Sequence, residues 1–229
     1  MSCHAEFLRV ALGNDETLSQ AVLHGDPATL ELAPRLRALI ELVQLVTTAP
    51  WSLSRELRAR WSALDDDDLV HAIALSAYFG HLNRIADAVA IPLDYACKLV
   101  PPPIDHARAP FERAPHVVTA TPTLDLARRP ATATALTAWR EHMRAKPSYA
   151  AIAAWNANWL GASAAVEAGG ELHALAFKVA VAPWQLGDDA YAPLRAQGWT
   201  DAALFDACAI ASSTNAWTRI DVALRALAQ

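Results

Sequence analysis

Asp68-Leu-Val-His-Ala-Ile-Ala-Leu-Ser-Ala-Tyr-Phe-Gly-His-Leu-Asn-Arg-Ile-Ala-Asp87 is the stretch on which the fold turns. It has no proline, and its apolar residues recur at helical spacing. Leu82, Ile85 and Val89 fall at i, i+3 and i+7, a single stripe of a helix. Asp65 to Asp68 stand immediately before Leu69. Carboxylates there satisfy free amides and suit the positive end of the helix dipole. The stretch therefore reads as a helix near 67–90.

Working outward, the same pattern returns later in the chain. Asn83-Arg84-Ile85 lines up with Thr218-Arg219-Ile220, an offset of 135. Ala49-Pro50-Trp51-Ser52-Leu53 lines up with Ala182-Pro183-Trp184-Gln185-Leu186, an offset of 133. The stripe becomes Trp217, Ile220 and Leu224, and Thr200-Asp201 before Leu204 supplies the second start signal. An internal duplication with one small insertion accounts for these matches.

Half of the 14 prolines lie between Pro101 and Pro130. Proline lacks the amide donor and clashes with the preceding turn, so that stretch is no long helix. Residues 1–100 read as a first repeat, 101–130 as a proline-rich linker or extended strap, and 131–229 as a second repeat. Further helices are expected near 4–12, 16–23, 34–48, 54–62, 131–145, 148–166, 171–181, 188–197 and 202–227. Nothing alternates with period two for long, and alanine, which loses no side-chain entropy in a helix, is abundant. The expected class is all-α.

The 229 residues are 54% hydrophobic, enough for a real core. The net charge is −5, with Lys and Arg scattered among acids, so nucleic acid is not an expected partner. No apolar run approaches the roughly 18 to 20 residues that cross a bilayer. The N-terminus does not read as a secretory signal. A cytoplasmic location away from membranes is expected. Cys3, Cys97 and Cys208 are odd in number and far apart, which argues against a disulfide framework.

Three segments resemble the alkylhydroperoxidase D-like (carboxymuconolactone decarboxylase) family, in its peroxidase-related branch. Leu39 to Asp94, with its Tyr78-Phe79 and Asn83-Arg84-Ile85-Ala86-Asp87, is similar to the helices that follow that family's active-site helix. Glu171 to Leu227 is a weaker copy. His4-Ala-Glu-Phe-Leu-Arg9 resembles the continuation of the motif helix, which carries Cys-x-x-Cys, three residues and a histidine. The resemblance implies an internally duplicated alkylhydroperoxidase D-like helical bundle and peroxiredoxin-type reduction of hydroperoxides. It also implies a homo-oligomer, a thiol reductant as partner and no cofactor.

On that resemblance His4 occupies the motif histidine, a proton-relay position, and both motif cysteines would precede Met1. The antioxidant reading therefore expects a natural polypeptide that begins upstream. The alternative is a non-catalytic paralogue, a scaffold or oligomer partner. Ring-opening lactone decarboxylation is a third, minor class. Cys3 is the other candidate nucleophile, but adjacent helix positions diverge by about 100°, so it would not face His4. His4 also reads simply as a partly exposed residue on an N-terminal helix.

Tyr78, His81 and Arg84 lie at i, i+3 and i+6, roughly along one helix strip, and the family reading makes them pocket-lining. The plainer reading is a polar edge held by an Arg84–Asp87 pair, with Asn83 closing a helix contact. The eight histidines show no His-x-x-x-His or Glu-x-x-His pairing, so no metal site is expected. Trp51 and Trp184 read as packing plugs behind Ala-Pro. Cys208 falls opposite Ile73 in the repeat and reads as a small buried hydrophobe.

Overall fold

The computed structural model describes residues 10, 16–23, 31–91, 113–167 and 169–229. Among them every regular element is helical. The α-helices are α1 (Glu16–Leu23), α2 (Pro34–Thr48), α3 (Arg55–Arg60), α4 (Asp66–Ala88), α5 (Pro130–Arg144), α6 (Tyr149–Trp159), α7 (Gly170–Val181), α8 (Asp188–Ala196) and α9 (Asp201–Ala226). Short 3-10 turns cover Pro50–Ser52, Leu126–Arg128 and Pro183–Gln185. The expected helix 4–12 lies outside the described residues except at Val10.

Local chemistry explains where the elements begin and end. Proline opens α2 and α5, where a missing amide costs nothing. Asp65 accepts from the amide of Asp68 at 2.8 Å to start α4, and Thr200 accepts from Ala203 at 3.2 Å to start α9. The acidic first turn of α4 pairs with Arg35, Arg58, Arg128 and Arg129, which tie three other segments to it. Ala49 and Ala182, ahead of the two Pro-Trp turns, have nearly the same backbone, φ −149° with ψ 65° and 54°.

One order of elements therefore occurs twice: helix, Ala-Pro-Trp turn, short helix, long helix. It runs first through α2, α3 and α4, then through α7, α8 and α9. Among the described elements, the long helices α4 and α9 form the most extensive contact. Ser212 of α9 meets His81 of α4, and small side chains on both helices, Ala74 and Ala77 on α4 and Ala209 and Ser212 on α9, are buried. Small residues let two helix backbones approach closely.

Two apolar clusters result, and α9 runs through both. Leu204, Cys208 and Ile210 pack with Ile152, Leu175 and Val179, whereas Ile220, Ala223 and Leu227 pack with Leu42, Val46, Leu69 and Ile73. Helix α9 is thus buried on nearly every side. Helix α4 is not. Leu82 is 41% and Val89 37% exposed, while their counterparts Trp217 and Leu224 are 9% and 7% exposed.

The helix expected over 148–166 stops at Trp159. Gly161 takes φ +77°, and a Cβ there would stand 2.6 Å from the carbonyl oxygen of His116. The strap from 113 crosses at that point, its backbone held by Ala114 N–H to Trp159 O (2.9 Å) and Val118 N–H to Gly161 O (2.7 Å). Val118 and Leu124 of the strap are buried in the first cluster. No described helix is long and apolar enough to cross a membrane.

Candidate functional site

His81 sits where α4, α5 and α9 meet, 6% exposed. Its Nδ1 is 2.8 Å from Ser212 Oγ, and that hydroxyl lies 2.7 Å from the His81 carbonyl oxygen. A hydroxyl has one proton. Ser212 donates it to the carbonyl, so Nδ1 carries hydrogen and donates to Oγ. Burial, with the Arg84 charge adding, pushes the imidazole down to about 4. At neutral pH the ring is uncharged and a weak base.

Aromatic rings surround it. Trp139 of α5 lies 4.6 Å from the imidazole, and Tyr78 stands edge-on to the same indole at 5.8 Å. Trp217 lies 6.0 Å beyond, with Arg140 over its ring at 4.9 Å. Tyr78 is 38% exposed and forms the outer edge of the cluster. Asn83 is partly buried on the same helix. Cys3 and His4 lie outside the described residues.

Arg84 turns away from the edge that an Arg84–Asp87 pair would make. Its Nε donates to Ala180 O and one terminal nitrogen to Gly80 O, both at 2.8 Å. Gly80 leaves the room: a Cβ there would be 2.7 Å from that nitrogen. Burial lowers the guanidinium to about 10, and Asp87 opposes the shift through space.

Arg219 does the same in the other direction. It is 2% exposed, and it donates to Val46 O (2.9 Å), Thr47 O (2.6 Å) and Asn215 Oδ1 (2.8 Å). Burial, with the Arg84 charge adding, lowers its pKa well below that of free arginine. A polar chain continues inward from it. Asn215 Nδ2 points to Asn156 Oδ1 at 3.4 Å, and Asn156 Nδ2 donates to Thr214 Oγ1 (2.6 Å) and Ala211 O (3.0 Å). Satisfied networks of this kind fix one helix register against others.

Ser212, Asn156, Thr214 and Asn215 did not emerge from the sequence as site residues. The available signal was the polar run Ser212-Ser213-Thr214-Asn215 inside an otherwise apolar helix. Cys208, expected to be a small buried hydrophobe, is 1% exposed and its thiol lies 3.9 Å from the Tyr191 hydroxyl. Burial raises the thiol to about 11, so it is not a thiolate at neutral pH. Among the described residues no cluster of three or more His, Cys, Asp or Glu could hold a metal.

Two cavities lie away from His81. One, of about 260 Å³, is lined by Arg113, Trp159, His173 and Phe177. The other, of about 470 Å³, lies between the α5–α6 and α8–α9 turns, beside the Lys146–Asp206 ion pair at 3.0 Å. Comparisons with family models, curated proteins and solved structures return no match to this chain.

Proposed function

We propose that this chain is an internally duplicated protein of the alkylhydroperoxidase D-like type. Its helices would be the scaffold of a peroxiredoxin-type hydroperoxide reductase, cytoplasmic and self-associating. The observation that carries the duplication is the exchange of arginines. Arg84 meets the end of α7 two residues before Ala182-Pro183-Trp184, and Arg219 meets the end of α2 two residues before Ala49-Pro50-Trp51. Unrelated halves would have no reason to repeat that detail. The activity itself rests on the resemblance of 39–94 and of His4 to Arg9.

In that chemistry a thiolate attacks the peroxide O–O bond, giving a sulfenic acid and an alcohol. A second thiol condenses with the sulfenic acid to a disulfide and water, and an external thiol reductant restores the pair. Cys3, Cys97 and Cys208 do not form the Cys-x-x-Cys this requires. One observation favours a second reading, a non-catalytic scaffold or oligomer partner: the described cysteine, Cys208, is buried and protonated.

The deciding experiment pairs intact mass with hydroperoxide consumption, using protein isolated from its own cells and a dithiol reductant. The catalytic reading expects turnover and a mass above 24.6 kDa. A mass equal to that of this chain without turnover overturns it and leaves the scaffold.

A further inference from the structure

We propose that the cavity beside the end of α6 binds a small planar carboxylate, of the aryl-acid class. The inference is independent of the hydroperoxide reading. Three aromatic side chains make the apolar wall: Trp159 lies 5.0 Å from Phe177, edge to face, and 5.2 Å from the imidazole of His173. Trp155 stands edge-on to the same imidazole at 4.8 Å. Burial lowers the His173 pKa, so the ring sits there as a neutral wall.

The cation comes from the strap. The backbone bond from Ala114 to Trp159 O holds the strap beside the cavity that Arg113 lines, and the Arg113 guanidinium donates to Oδ1 of Asn158, a residue only 7% exposed. A guanidinium has five N–H donors in one plane, and a fork of two matches a carboxylate. Among the described residues, none lining the cavity is acidic. Of these residues Arg113 alone carries a charge that a negative group would meet, and it is positive.

Size sets the ligand class. At about 260 Å³ the cavity lies below the usual range for drug-sized ligands, which suits a single ring with one charged substituent. A flat ring stacks or stands on the Trp159 and Phe177 faces while its carboxylate reaches Arg113. The lining is also not a by-product of the repeated helix. Aligned on Ala-Pro-Trp, the places of His173 and Phe177 are taken on α2 by Ile40 and Gln44.

Arg113 also stands near the carbonyl end of α6, where a cation is favourable without any ligand. The test separates the two roles. Benzoate is titrated into the full chain by calorimetry and ligand-observed NMR, beside benzamide, its neutral isostere, and acetate, which lacks the ring. Saturable benzoate binding is expected, at least about tenfold tighter than either. Arg113→Met and Phe177→Ala should each weaken it about tenfold, while Arg195→Met on α8 should not change it. No saturable binding at millimolar benzoate, or equal binding of benzoate and benzamide, overturns the proposal. So does an Arg113→Met protein that loses thermal stability but binds benzoate as before. Should Arg113→Met not fold, Phe177→Ala and the benzoate-to-benzamide ratio in the unaltered protein decide.

Discussion

Arg84 and Arg219 exchange helix ends. Arg84, on α4, donates to a carbonyl at the end of α7, and Arg219, on α9, donates to two carbonyls at the end of α2. Helix C-termini leave carbonyls without intrahelical partners, and a proline follows each of these ends, so no further turn supplies donors. A guanidinium brings several donors and a positive charge to the negative end of a dipole. Each long helix thus closes the helix that leads into the other Ala-Pro-Trp turn. The two also differ. Arg84 is partly buried and takes a backbone oxygen from Gly80, whereas Arg219 is fully buried and takes a side-chain oxygen from Asn215.

Removing these arginines should therefore have unequal effects. Arg219→Met strands Val46 O, Thr47 O and Asn215 Oδ1, two of them out of reach of water, and relieves one buried charge. A net loss of about 2–4 kcal/mol is expected, because each orphaned buried acceptor costs roughly 1–3. Arg84→Met, nearer the surface, should lose about 1–2 kcal/mol. Urea unfolding of both variants checks the order. Equal losses would mean the two ends are not differently buried in solution.

The long helices start alike, and that too is measurable. Asp65 and Thr200 each accept one amide of the first turn, so Asp65→Ala and Thr200→Ala should each destabilise by about 1 kcal/mol. Asp65→Asn and Thr200→Ser should restore most of the loss. A change of less than a few tenths in either alanine variant would show that its cap does not form.

Much of this architecture was legible locally. Proline placed the ends of α2 and α7, capping residues placed the starts of α4 and α9, and the periodicity of 67–90 called a helix that spans 66–88. What local pattern does not carry is which face meets what. The stripe Leu82, Ile85, Val89 reads like Trp217, Ile220, Leu224, yet only the second is covered. His81 finds its partner 131 residues away in Ser212, and Arg84 finds its own in Ala180. Both are consequences of packing one half on the other. The early end of α6 had a local signal in Gly161, a residue type common just past a helix end.

Gly161 separates conformational strain from collision. At φ +77° an added Cβ would meet the His116 carbonyl oxygen at 2.6 Å and Ala114 Cβ at 2.9 Å, both on the strap. Gly198 has a similar φ, +89°, with nothing within 4 Å of the added atom. Gly198→Ala should cost only the left-handed penalty, about 1–2 kcal/mol. Gly161→Ala should cost that and a further 1–2 kcal/mol or so as the strap shifts. Denaturant unfolding of both variants gives the difference directly. Equal losses would mean that the strap is not seated against α6.

His81 should make stability fall on mild acidification. Its pKa is about 4 in the folded protein, below the ordinary value of 6.5. Between those values the unfolded chain binds a proton that the folded chain refuses, so unfolding gains. Above pH 6.5 both states are neutral and the folded protein keeps its full stability. From 6.5 down towards 4 the loss grows to at most about 3 kcal/mol, since each unit of separation is worth roughly 1.4. His173, whose pKa burial also lowers, adds in the same direction. His81→Gln retains a polar side chain for Ser212 without a titrating ring, and should flatten the stability profile between pH 4 and 6.5. Chemical unfolding of both proteins across that window measures the slope. Equal slopes in the two would place the proton uptake on other groups and remove His81 from the account.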